Sequence, residues 1–298
     1  MGRRRRVKLV VMARTFVLII GLAASVFTGR VFAAAPAVVT AAGDIAQCVG
    51  IPAARSGAER TARLIEKFPG IVLALGDLAY GDGLQSEYEA CYEPTWGRFK
   101  ARTNPVPGNH DYLDPKLYYH RYFGARVGAF GKGFYSFDYG DWHFIALNSN
   151  LKPPASLEQL AWVRADLAAN TRLCTLAYWH HPRFSSGDHG NDPRLRDLWA
   201  LLDTEGVDIV LSGHDHDYER LAPQDADGNA DAHGIRSFVV GTGGAALRPF
   251  ARILPTSEYR DATSLGVLKL ELYNDRYVWE FITANGASRD RGSAQCYR

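Results

Sequence analysis

Short apolar runs that each end in a polar residue constrain this chain more than any other feature of its sequence. The runs are typical of buried strands, and helical patterns at residues 53–68 and 85–101 separate the first of them. Strands that alternate with helices and are followed by mixed β structure predict an α/β fold with the helices outside the sheets. The polar residues at the ends of the runs are Asp44, Asp77, Asn109, His180 and His214.

These polar residues are expected at one edge of a sheet, because ligands of open α/β sheets bind beyond the carboxyl ends of the strands. His216 joins them, since His214 and His216 are two residues apart on an extended segment and point to the same side. Carboxylate, amide oxygen and imidazole are ligands of Fe, Mn and Zn. The pattern predicts a site for two metal ions that share a carboxylate, which suits displacement at phosphorus.

Further elements are predicted from periodicity and turn residues. Residues 133–150 alternate around a Gly-Asp turn and predict a β-hairpin, and Ser156 is expected to cap a helix over residues 156–170. Residues 192–206 predict another helix, and residues 223–234 predict one long loop. The later strands are expected at residues 173–182, 208–214, 236–244, 265–273 and 276–282.

The first 40 residues carry a basic start and no acidic side chain. An uncharged stretch from Thr15 to Gly29 and small residues after it are typical of a cleavable export signal, with cleavage near Ala33 or Ala34. Paired arginines also allow twin-arginine export. An uncleaved membrane anchor is the alternative, although the 15 uncharged residues are fewer than the roughly 18–20 that span a bilayer. We predict an export signal over residues 1–34.

The remaining residues, 35–298, are expected to form a single catalytic domain, because the sequence has no linker, internal repeat or low-complexity tract. Few residues separate the expected cleavage point from the first strand, so no N-terminal accessory domain is expected. The whole chain has 34 basic and 32 acidic side chains, but loss of the seven basic residues of the signal leaves a formal charge of −5. The mature protein therefore offers no basic excess for nucleic-acid binding.

Four cysteines, an even number, suit the oxidising compartment that export implies. Their spacing matches no zinc motif, which favours disulfides over metal ligation. Cys48 and Cys91 follow the first two strands on loops at one edge, whereas Cys174 opens a strand at the opposite edge, within reach of the end of the chain at Cys296. We therefore predict the pairs Cys48–Cys91 and Cys174–Cys296 out of three possible pairings.

Five motifs, in this order, resemble those of calcineurin-like metallophosphoesterases. The resemblance covers nearly all of residues 38–282 and implies a four-layer α/β/β/α sandwich of two mixed sheets flanked by helices. The motifs are GD at 43–44, GDLAY at 76–80, GNHD at 108–111, the first histidine of WHHP at 179–182, and GHDH at 213–216.

The resemblance is to the purple acid phosphatase type within this superfamily. Most members carry a histidine two residues after the first aspartate, where this chain has Ala46, and Tyr80 stands three residues after Asp77. Loss of that histidine and gain of this tyrosine distinguish purple acid phosphatases, whose tyrosinate binds Fe(III). The family usually has glycine at the position of Ala46, which puts the tightness of the first loop, and not the ligand set, in doubt.

The resemblance implies a ligand for each metal position. Asp44, Tyr80 and His216 would hold Fe(III), and Asp77 would bridge the two ions. Asn109, His180 and His214 would hold a divalent Fe, Zn or Mn ion. His180 is preferred over His181 because the ligand of the family stands two residues before the proline.

Three further residues are expected to take part in catalysis. His110 and His189 match substrate-facing histidines of the family. We expect His110 to donate a proton to the leaving oxygen, and Asp111, the next residue, to orient its ring or hold it charged. His189 would bind the phosphoryl group and is the alternative proton donor.

The implied function is hydrolysis of small phosphate monoesters by a secreted or otherwise extracytoplasmic enzyme, with no stable membrane association after signal cleavage. A phosphodiesterase or nucleotide hydrolase on the same scaffold is an alternative, because fold does not fix substrate. A non-catalytic metal-binding protein is a second alternative. The oligomeric state stays open.

The other histidines and an aromatic segment have simpler interpretations. His120, His143 and His233 are expected to have no direct role. The aromatic residues of the segment favour packing, with the mouth of a substrate site as the alternative; they are Tyr118, Tyr119, Tyr122 and Phe123.

Overall fold

The structure, a computed structural model, describes residues 1–2, 12 and 35–297. The expected export signal over residues 1–34 and its cleavage point near Ala33 or Ala34 lie almost wholly outside the described residues. The signal, its cleavage and the domain boundary therefore stay predictions. Among the residues that are described, no helix combines the length and the apolar character needed to cross a membrane.

Residues 35–297 contain thirteen strands and five α-helices, which are connected by loops and short helical turns. The helices are α1 (Gly57–Ile65), α2 (Gln85–Glu87), α3 (Tyr118–Phe123), α4 (Ala155–Ala169) and α5 (Arg196–Thr204). The strands are β1 (Ala37–Ala42), β2 (Ile71–Leu75), β3 (Thr103–Val106), β4 (Tyr135–Tyr139), β5 (Trp142–Ala146), β6 (Cys174–Tyr178), β7 (Ile209–Ser212), β8 (Tyr218–Leu221), β9 (Arg236–Val240), β10 (Ser257–Asp261), β11 (Gly266–Leu272), β12 (Arg276–Thr283) and β13 (Ser288–Gln295).

Two mixed sheets contain all of these strands. The first has six strands in the order β13-β12-β11-β1-β2-β3, with β1, β2 and β3 parallel. The second has seven strands in the order β10-β8-β9-β7-β6-β5-β4, with β5, β6, β7 and β9 parallel. The parallel strands form the centre of the second sheet and one side of the first, where β3 is the edge strand, and the polar residues singled out by the sequence follow them.

Side chains of the second sheet alternate between two hydrophobic clusters, as the period of an extended strand requires. Leu176, Tyr178 and Leu211 face the first sheet and belong to the large core between the sheets. Ala177 and Val210 face outwards and pack with apolar residues of α4 and α5. On the other side, α1 packs against β11 of the first sheet. The fold is the four-layer α/β/β/α sandwich that the sequence resemblance implies.

Two helix predictions differ from the structure. The helix expected over residues 85–101 is broken into α2 and the short turns Tyr88–Tyr92 and Trp96–Arg102. Pro94 lies between the two turns and has no amide hydrogen with which to continue the helical hydrogen bonds. The next residue, Thr95, leaves helical geometry, with φ −109° and ψ −96°. The helix expected to be capped by Ser156 begins one residue earlier, at Ala155, after Pro154, so Ser156 lies inside the first turn.

Three strands, β8, β10 and β13, were not expected from the sequence. β10 and β13 are edge strands with many exposed polar side chains, which hide the apolar alternation on which strand prediction depends. β8 follows directly on the GHDH motif and pairs with both β9 and β10. The predicted hairpin over residues 133–150 is confirmed as β4 and β5.

Two disulfides tie loops to the sheets, and both match the predicted pairing. Cys48 after β1 is joined to Cys91, with a Cα–Cα distance of 5.8 Å. Cys174 at the start of β6 is joined to Cys296 near the end of the chain, with a Cα–Cα distance of 5.5 Å. Asp208 lies beside this second bridge, but the cysteine sulfurs are already bonded to each other and are not metal ligands.

Candidate metal centre

The polar residues that follow the parallel strands of both sheets converge at one edge of the sandwich. Asp44, Asp77 and His214 adopt left-handed backbone geometry, with φ angles of 58°, 50° and 71°. Such angles are uncommon outside glycine and concentrate at functional sites. Among the described residues only Leu117 shares this geometry without being glycine. The strand ends are therefore turned sharply to present side chains to a common point.

Glycines beside these residues allow the close approach of neighbouring loops. A Cβ atom on Gly108 would lie 2.1 Å from Asp77 Oδ1, and one on Gly76 would lie 2.6 Å from His180 Nδ1. Both contacts are closer than van der Waals packing permits, so each position needs glycine. The close packing of the loops at this edge therefore requires the glycines of the Gly-Asp and Gly-Asn pairs.

Asp44, Tyr80 and His216 form one half of the site. The Tyr80 hydroxyl donates to Asp44 Oδ1 at 2.9 Å and lies 3.0 Å from His216 Nε2. His216 Nε2 lies 3.3 Å from Asp44 Oδ1. His216 Nδ1 is 2.7 Å from the Ala246 carbonyl oxygen, which can only accept, so Nδ1 carries the proton and Nε2 is free to bind a metal.

The phenol of Tyr80 lies in a setting that is suited to binding a cation. Burial, and then the charges of Asp44 and Asp77, raise the pKa of Tyr80 well above its ordinary value, so the protein groups alone keep it protonated. A cation at this point reverses that effect, because a bound metal is the largest local charge and deprotonates its ligands. Two carboxylates around a buried phenol are therefore suited to a strongly charged ion.

Asp77, Asn109, His180 and His214 form the other half. His180 Nε2 lies 3.4 Å from Asp77 Oδ2, 3.1 Å from Asn109 Oδ1 and 3.2 Å from His214 Nδ1. His180 Nδ1 donates to the Leu75 carbonyl oxygen at 2.8 Å, which leaves Nε2 as the ligand atom. Ligand atoms of Asp44, Asp77 and His180 all lie within 4.8 Å of one another.

Asp77 and His214 hold the protonation states of metal ligands, whereas His180 must lose a proton before it binds a metal. Burial opposes charge on His180, but Asp77 outweighs burial and raises the pKa of His180 to about 9. Burial opposes charge on Asp77, but the neighbouring His180 outweighs it and lowers the pKa of Asp77 to about 2. Burial, and then the charge of His180, lower the pKa of His214 far below its usual range, so its imidazole is neutral. Carboxylate and neutral imidazole are the forms that bind metal. Asp77 is close to both halves, because its ligand oxygen lies within 4.8 Å of the ligand atoms of Asp44 and His180.

His181 stands beside the site in a different setting. Its Nδ1 lies 2.8 Å from Ser149 Oγ, and its ring centroid lies 4.4 Å from that of His214. His180, and not His181, approaches both Asp77 and Asn109. Ligand atoms of His180, His181 and His214 nevertheless lie within 4.8 Å of one another, so the choice of His180 over His181 stays a prediction.

His110 lies at the site, but Asp111 does not support its ring. The His110 amide donates to Asp77 Oδ1 at 2.9 Å, and His110 Nδ1 donates to the Gly81 carbonyl oxygen. Asp111 is fully buried and accepts from the Leu78 and Gly108 amides and from the Tyr88 hydroxyl. The expected Asp111–His110 contact is therefore absent from the hydrogen bonds of both residues.

The cause is the short turn that begins at His110 and ends at Tyr112, which sends consecutive side chains in different directions. Burial, and then the charge of Asp77, raise the pKa of Asp111 to about 7, although three hydrogen bonds oppose the shift. Asp111 thus holds the loop that carries Asn109 and, through the Leu78 amide, the loop that carries Asp77.

His189 has a closer carboxylate partner than His110, whose Nε2 lies 3.9 Å from Asp77 Oδ2. Asp215 Oδ1 accepts from the His189 amide at 2.8 Å and lies 2.9 Å from His189 Nδ1. Asp215 is fully buried and also accepts from the Ser185 hydroxyl. The His189 ring lies 4.0 Å from the His214 ring, centroid to centroid, and Arg248 Nη1 lies 3.3 Å from His189 Nε2.

Asp215 and Arg248 were missed by the sequence analysis. Asp215 stands between His214 and His216, so alternation along an extended segment was a signal that it faces away from them. Arg248 lies 59 residues from His189 along the chain, and no motif marks it. Its amide donates to the His216 carbonyl oxygen at 3.0 Å, which anchors it near the centre.

The remaining histidines lie away from the metal ligands. His120 is buried in an aromatic environment with no hydrogen-bond partner on either ring nitrogen, and burial lowers its pKa to about 4. His143 bridges Asp138 and Asp166 at 2.8 Å each. The ring of His233 packs against Tyr297. Tyr118, Tyr122 and Phe123 pack against Tyr88 or Tyr92, and Tyr118 also lines a cavity of about 520 Å3.

Comparisons with known proteins agree with this geometry. The model of the calcineurin-like phosphoesterase family matches residues 37–218. Purple acid phosphatase 15 of Arabidopsis thaliana is 31% identical over 195 residues, covering 53% of this chain and 37% of the relative. Purple acid phosphatase 18 of the same plant is 28% identical over 223 residues, covering 68% and 51%. The chain spans about half or less of the length of these curated relatives.

Solved structures share the fold. Purple acid phosphatase PPD1 from yellow lupin superposes with a TM-score of 0.69 at 22% identity, covering 87% of this chain and 53% of that one. GAP50, named as the anchor in the inner membrane complex of Plasmodium, superposes with a TM-score of 0.69 at 16% identity, covering 89% and 90%. At these identities the likeness concerns the fold alone.

Proposed function

Because this chain belongs to the calcineurin-like phosphoesterase family, we propose that it is an exported, binuclear metal-dependent phosphatase that hydrolyses phosphate monoesters. The family and its purple acid phosphatase relatives imply two metal ions and a phosphorylated substrate. One observation carries the proposal. Seven candidate ligands converge in two groups, with the Asp77 carboxylate between them.

Asp44, Tyr80 and His216 would hold Fe(III), which favours the phenolate oxygen of Tyr80 as a hard ligand. Asn109, His180 and His214 would hold a divalent Fe, Zn or Mn ion, and Asp77 would bridge. The carbonyl partners on Nδ1 of His180 and His216 support this assignment, because they fix the tautomer in which Nε2 binds metal.

Two bound ions supply charge stabilisation for the phosphoryl group and activation of a water nucleophile. The side chains of this protein do the remaining work. His110 and His189 flank the ligands and would contact the phosphoryl and leaving oxygens. Arg248, beside His189, offers further positive charge to a phosphoryl group. Asp215 and Asp111 are positioning residues that hold the His189 ring and the Asn109 loop.

A phosphodiesterase or nucleotide hydrolase remains the first alternative, and a non-catalytic protein the second. The second has specific support, because the relatives include a probable inactive purple acid phosphatase 1, which is 26% identical over 266 residues. The complete ligand set, with a histidine on each side of it, favours catalysis instead.

The test is turnover by purified mature protein loaded with Fe and Zn, measured on a panel of matched substrates. We expect hydrolysis of phenyl phosphate to exceed that of diphenyl phosphate, and Asp77→Ala to abolish both activities. Faster diester hydrolysis would favour the first alternative. Bound metal without turnover of any phosphate ester would favour the second.

Export is a separate part of the proposal. The basic start, the uncharged segment and the small residues after it motivate cleavage near Ala33 or Ala34, and the two disulfides suit an oxidising compartment. N-terminal sequencing of secreted protein should begin near residue 34 or 35. A mature protein that still begins near Met1 would contradict this part alone.

A further inference from the structure

One cavity borders the metal centre, and a second cavity adjoins the first. The first, of about 270 Å3, is bordered by His181, His189 and His214, and by Arg194 at its far side. The second, of about 300 Å3, lies between the start of α4 and the segment that leads into α5. Five leucines line the second cavity: Leu151, Leu157, Leu160, Leu195 and Leu198.

The two cavities are neighbours because they share residues and contacts. Arg194 borders both of them. Ser149 borders the second cavity, and its Oγ atom lies 2.8 Å from Nδ1 of His181, which borders the first. A bound molecule could therefore begin at the metal ligands, cross the first cavity and end among the leucines.

The chemistry changes along this path. The first cavity presents three imidazoles and the Arg194–Asp192 ion pair, whose closest nitrogen and oxygen lie 2.6 Å apart. Such a polar surface suits phosphoryl oxygens and the first atoms of an alcohol. The second cavity is mainly apolar, and Leu157 on its rim is 60% exposed although it faces a concave surface. An exposed apolar concavity next to an active site is typical of a ligand-binding site.

We infer that the substrate is a phosphate monoester whose alcohol carries an apolar chain, and that the leucine-lined cavity holds the end of that chain. This inference rests on the proposed phosphatase function and adds the class of the alcohol. The second cavity shares Arg194 with the cavity that borders the candidate ligand His214, and this position beside the site favours the substrate over a protein partner.

A series of straight-chain alkyl phosphates tests the inference on the mature, metal-loaded protein, below the concentrations at which the longer esters aggregate. We expect kcat/KM to change little from methyl to propyl phosphate, because these chains stay within the polar cavity. It should then rise about threefold to fourfold for each methylene group that enters the apolar cavity, until the cavity is full.

Two substitutions probe the second cavity directly. Ser156→Trp fills it from the first turn of α4, and Leu157→Ser makes its rim polar. Both should lower the ratio of kcat/KM for octyl phosphate to that for methyl phosphate, Ser156→Trp by about tenfold or more and Leu157→Ser by about threefold. Leu173→Ser is the matched control, since Leu173 is 42% exposed at the start of β6 and borders neither cavity.

The outcomes separate this inference from the proposed function. No turnover of any ester in the series would defeat the phosphatase proposal itself. Turnover with no dependence on chain length would overturn the inference and leave the phosphatase proposal standing, and the cavity would then be a surface for another partner. A chain-length effect that survives both substitutions would also overturn it. Leu157→Ser keeps the test valid if Ser156→Trp fails to fold.

Discussion

The two histidines that flank the metal ligands are held in different ways. His110 donates from Nδ1 to a neutral carbonyl oxygen of Gly81, and the neighbouring Asp111 is turned into the protein. His189 is held by the carboxylate of Asp215, which lies 26 residues away in sequence and is fully buried. Nearness along the chain therefore did not indicate which ring is hydrogen-bonded to a carboxylate. The Asp215 carboxylate orients the ring of His189 from a fixed, buried position, whereas a backbone carbonyl orients the ring of His110.

This comparison moves the expected proton donor from His110 to His189. The sequence favoured His110 because Asp111 follows it, and the structure removes that reason. His110 keeps a position next to Asp77, with Nε2 3.9 Å from Asp77 Oδ2, which suits a role in binding the phosphoryl group. The predictions below test this division of roles, beginning with the residue on which both sides depend.

The largest loss of activity is expected for Asp77→Ala. This change removes the carboxylate between the two groups of ligands, so both ions should be lost and kcat/KM should fall by about 10³-fold or more. Metal content, measured after gel filtration, should drop from about two ions per chain towards none. A variant that keeps both ions would contradict the bridging role, whatever its activity.

His189→Ala is expected to lower kcat/KM for an alkyl phosphate by about 10²-fold, because a general acid contributes roughly 10²–10⁴-fold to the rate. The loss on a nitrophenyl phosphate should be much smaller, since that leaving group needs little protonation. Metal occupancy must match that of the wild type in both assays. Equal losses on the two substrates would instead give His189 a role in phosphoryl binding alone.

His110→Ala is the counterpart on the other side of the site. We expect it to slow the alkyl and nitrophenyl esters by similar factors, about 10-fold each, because it would remove a phosphoryl contact and not the proton donor. If the alkyl ester is slowed far more, the donor is His110, as the sequence suggested. The two variants together therefore decide the assignment.

Asp215→Asn should lower kcat/KM for the alkyl ester by about 10-fold, which is part of the effect expected for His189→Ala. Combined with His189→Ala it should add little further loss, because residues that act as a unit are not additive. Asp188→Asn is a suitable control, since Asp188 is exposed and pairs only weakly with Arg248, at 3.5 Å. Full additivity of Asp215→Asn and His189→Ala would show that Asp215 does not act through His189.

The smallest effect on activity is expected for His143→Gln, which removes a histidine with two carboxylate partners but no contact with the site. Burial lowers the pKa of His143, but Asp166 and Asp138 outweigh it and raise the pKa above its ordinary value. The stabilisation is therefore complete below the unfolded-state pKa of about 6.5 and is lost as pH rises through the higher folded-state value.

The measurement is the melting temperature of wild-type and His143→Gln protein across this pH range. We expect a difference on the order of a few degrees at pH 5.5 that shrinks at alkaline pH. Activity at matched metal content should not change. A melting difference that is independent of pH would show that packing, and not charge, accounts for the role of His143.

The sequence predicted the parts of this molecule that depend on local pattern. Apolar runs gave the central strands, and a polar residue at the end of each run located the edge at which Asp44, Asp77 and His180 meet. The resemblance in ordered motifs supplied Tyr80 and the four-layer architecture. The disulfides followed from the edges on which Cys48, Cys91 and Cys174 were expected to lie.

The failures have equally specific causes. Pro94 broke a predicted helix whose flanking residues have helical periodicity. The polar edge strand β13 shows no apolar alternation from which it could be predicted. Asp215, which had no expected role, and not Asp111, is the carboxylate that holds a histidine ring beside the site, because a tight turn and an extended segment direct neighbouring side chains differently. Long-range contacts such as that between Arg248 and His189 leave no local signal in one sequence.

The most direct measurement for the whole account is the metal content of purified mature protein together with its visible spectrum. We predict about two metal ions per chain, iron among them, and a visible charge-transfer band from the Tyr80 phenolate on Fe(III). Tyr80→Phe should abolish the band while Asp44, Asp77 and His216 still retain iron. Wild-type protein that is colourless with a full complement of oxidised iron, or a band that survives Tyr80→Phe, would contradict the assignment of Tyr80 and with it the purple-type centre.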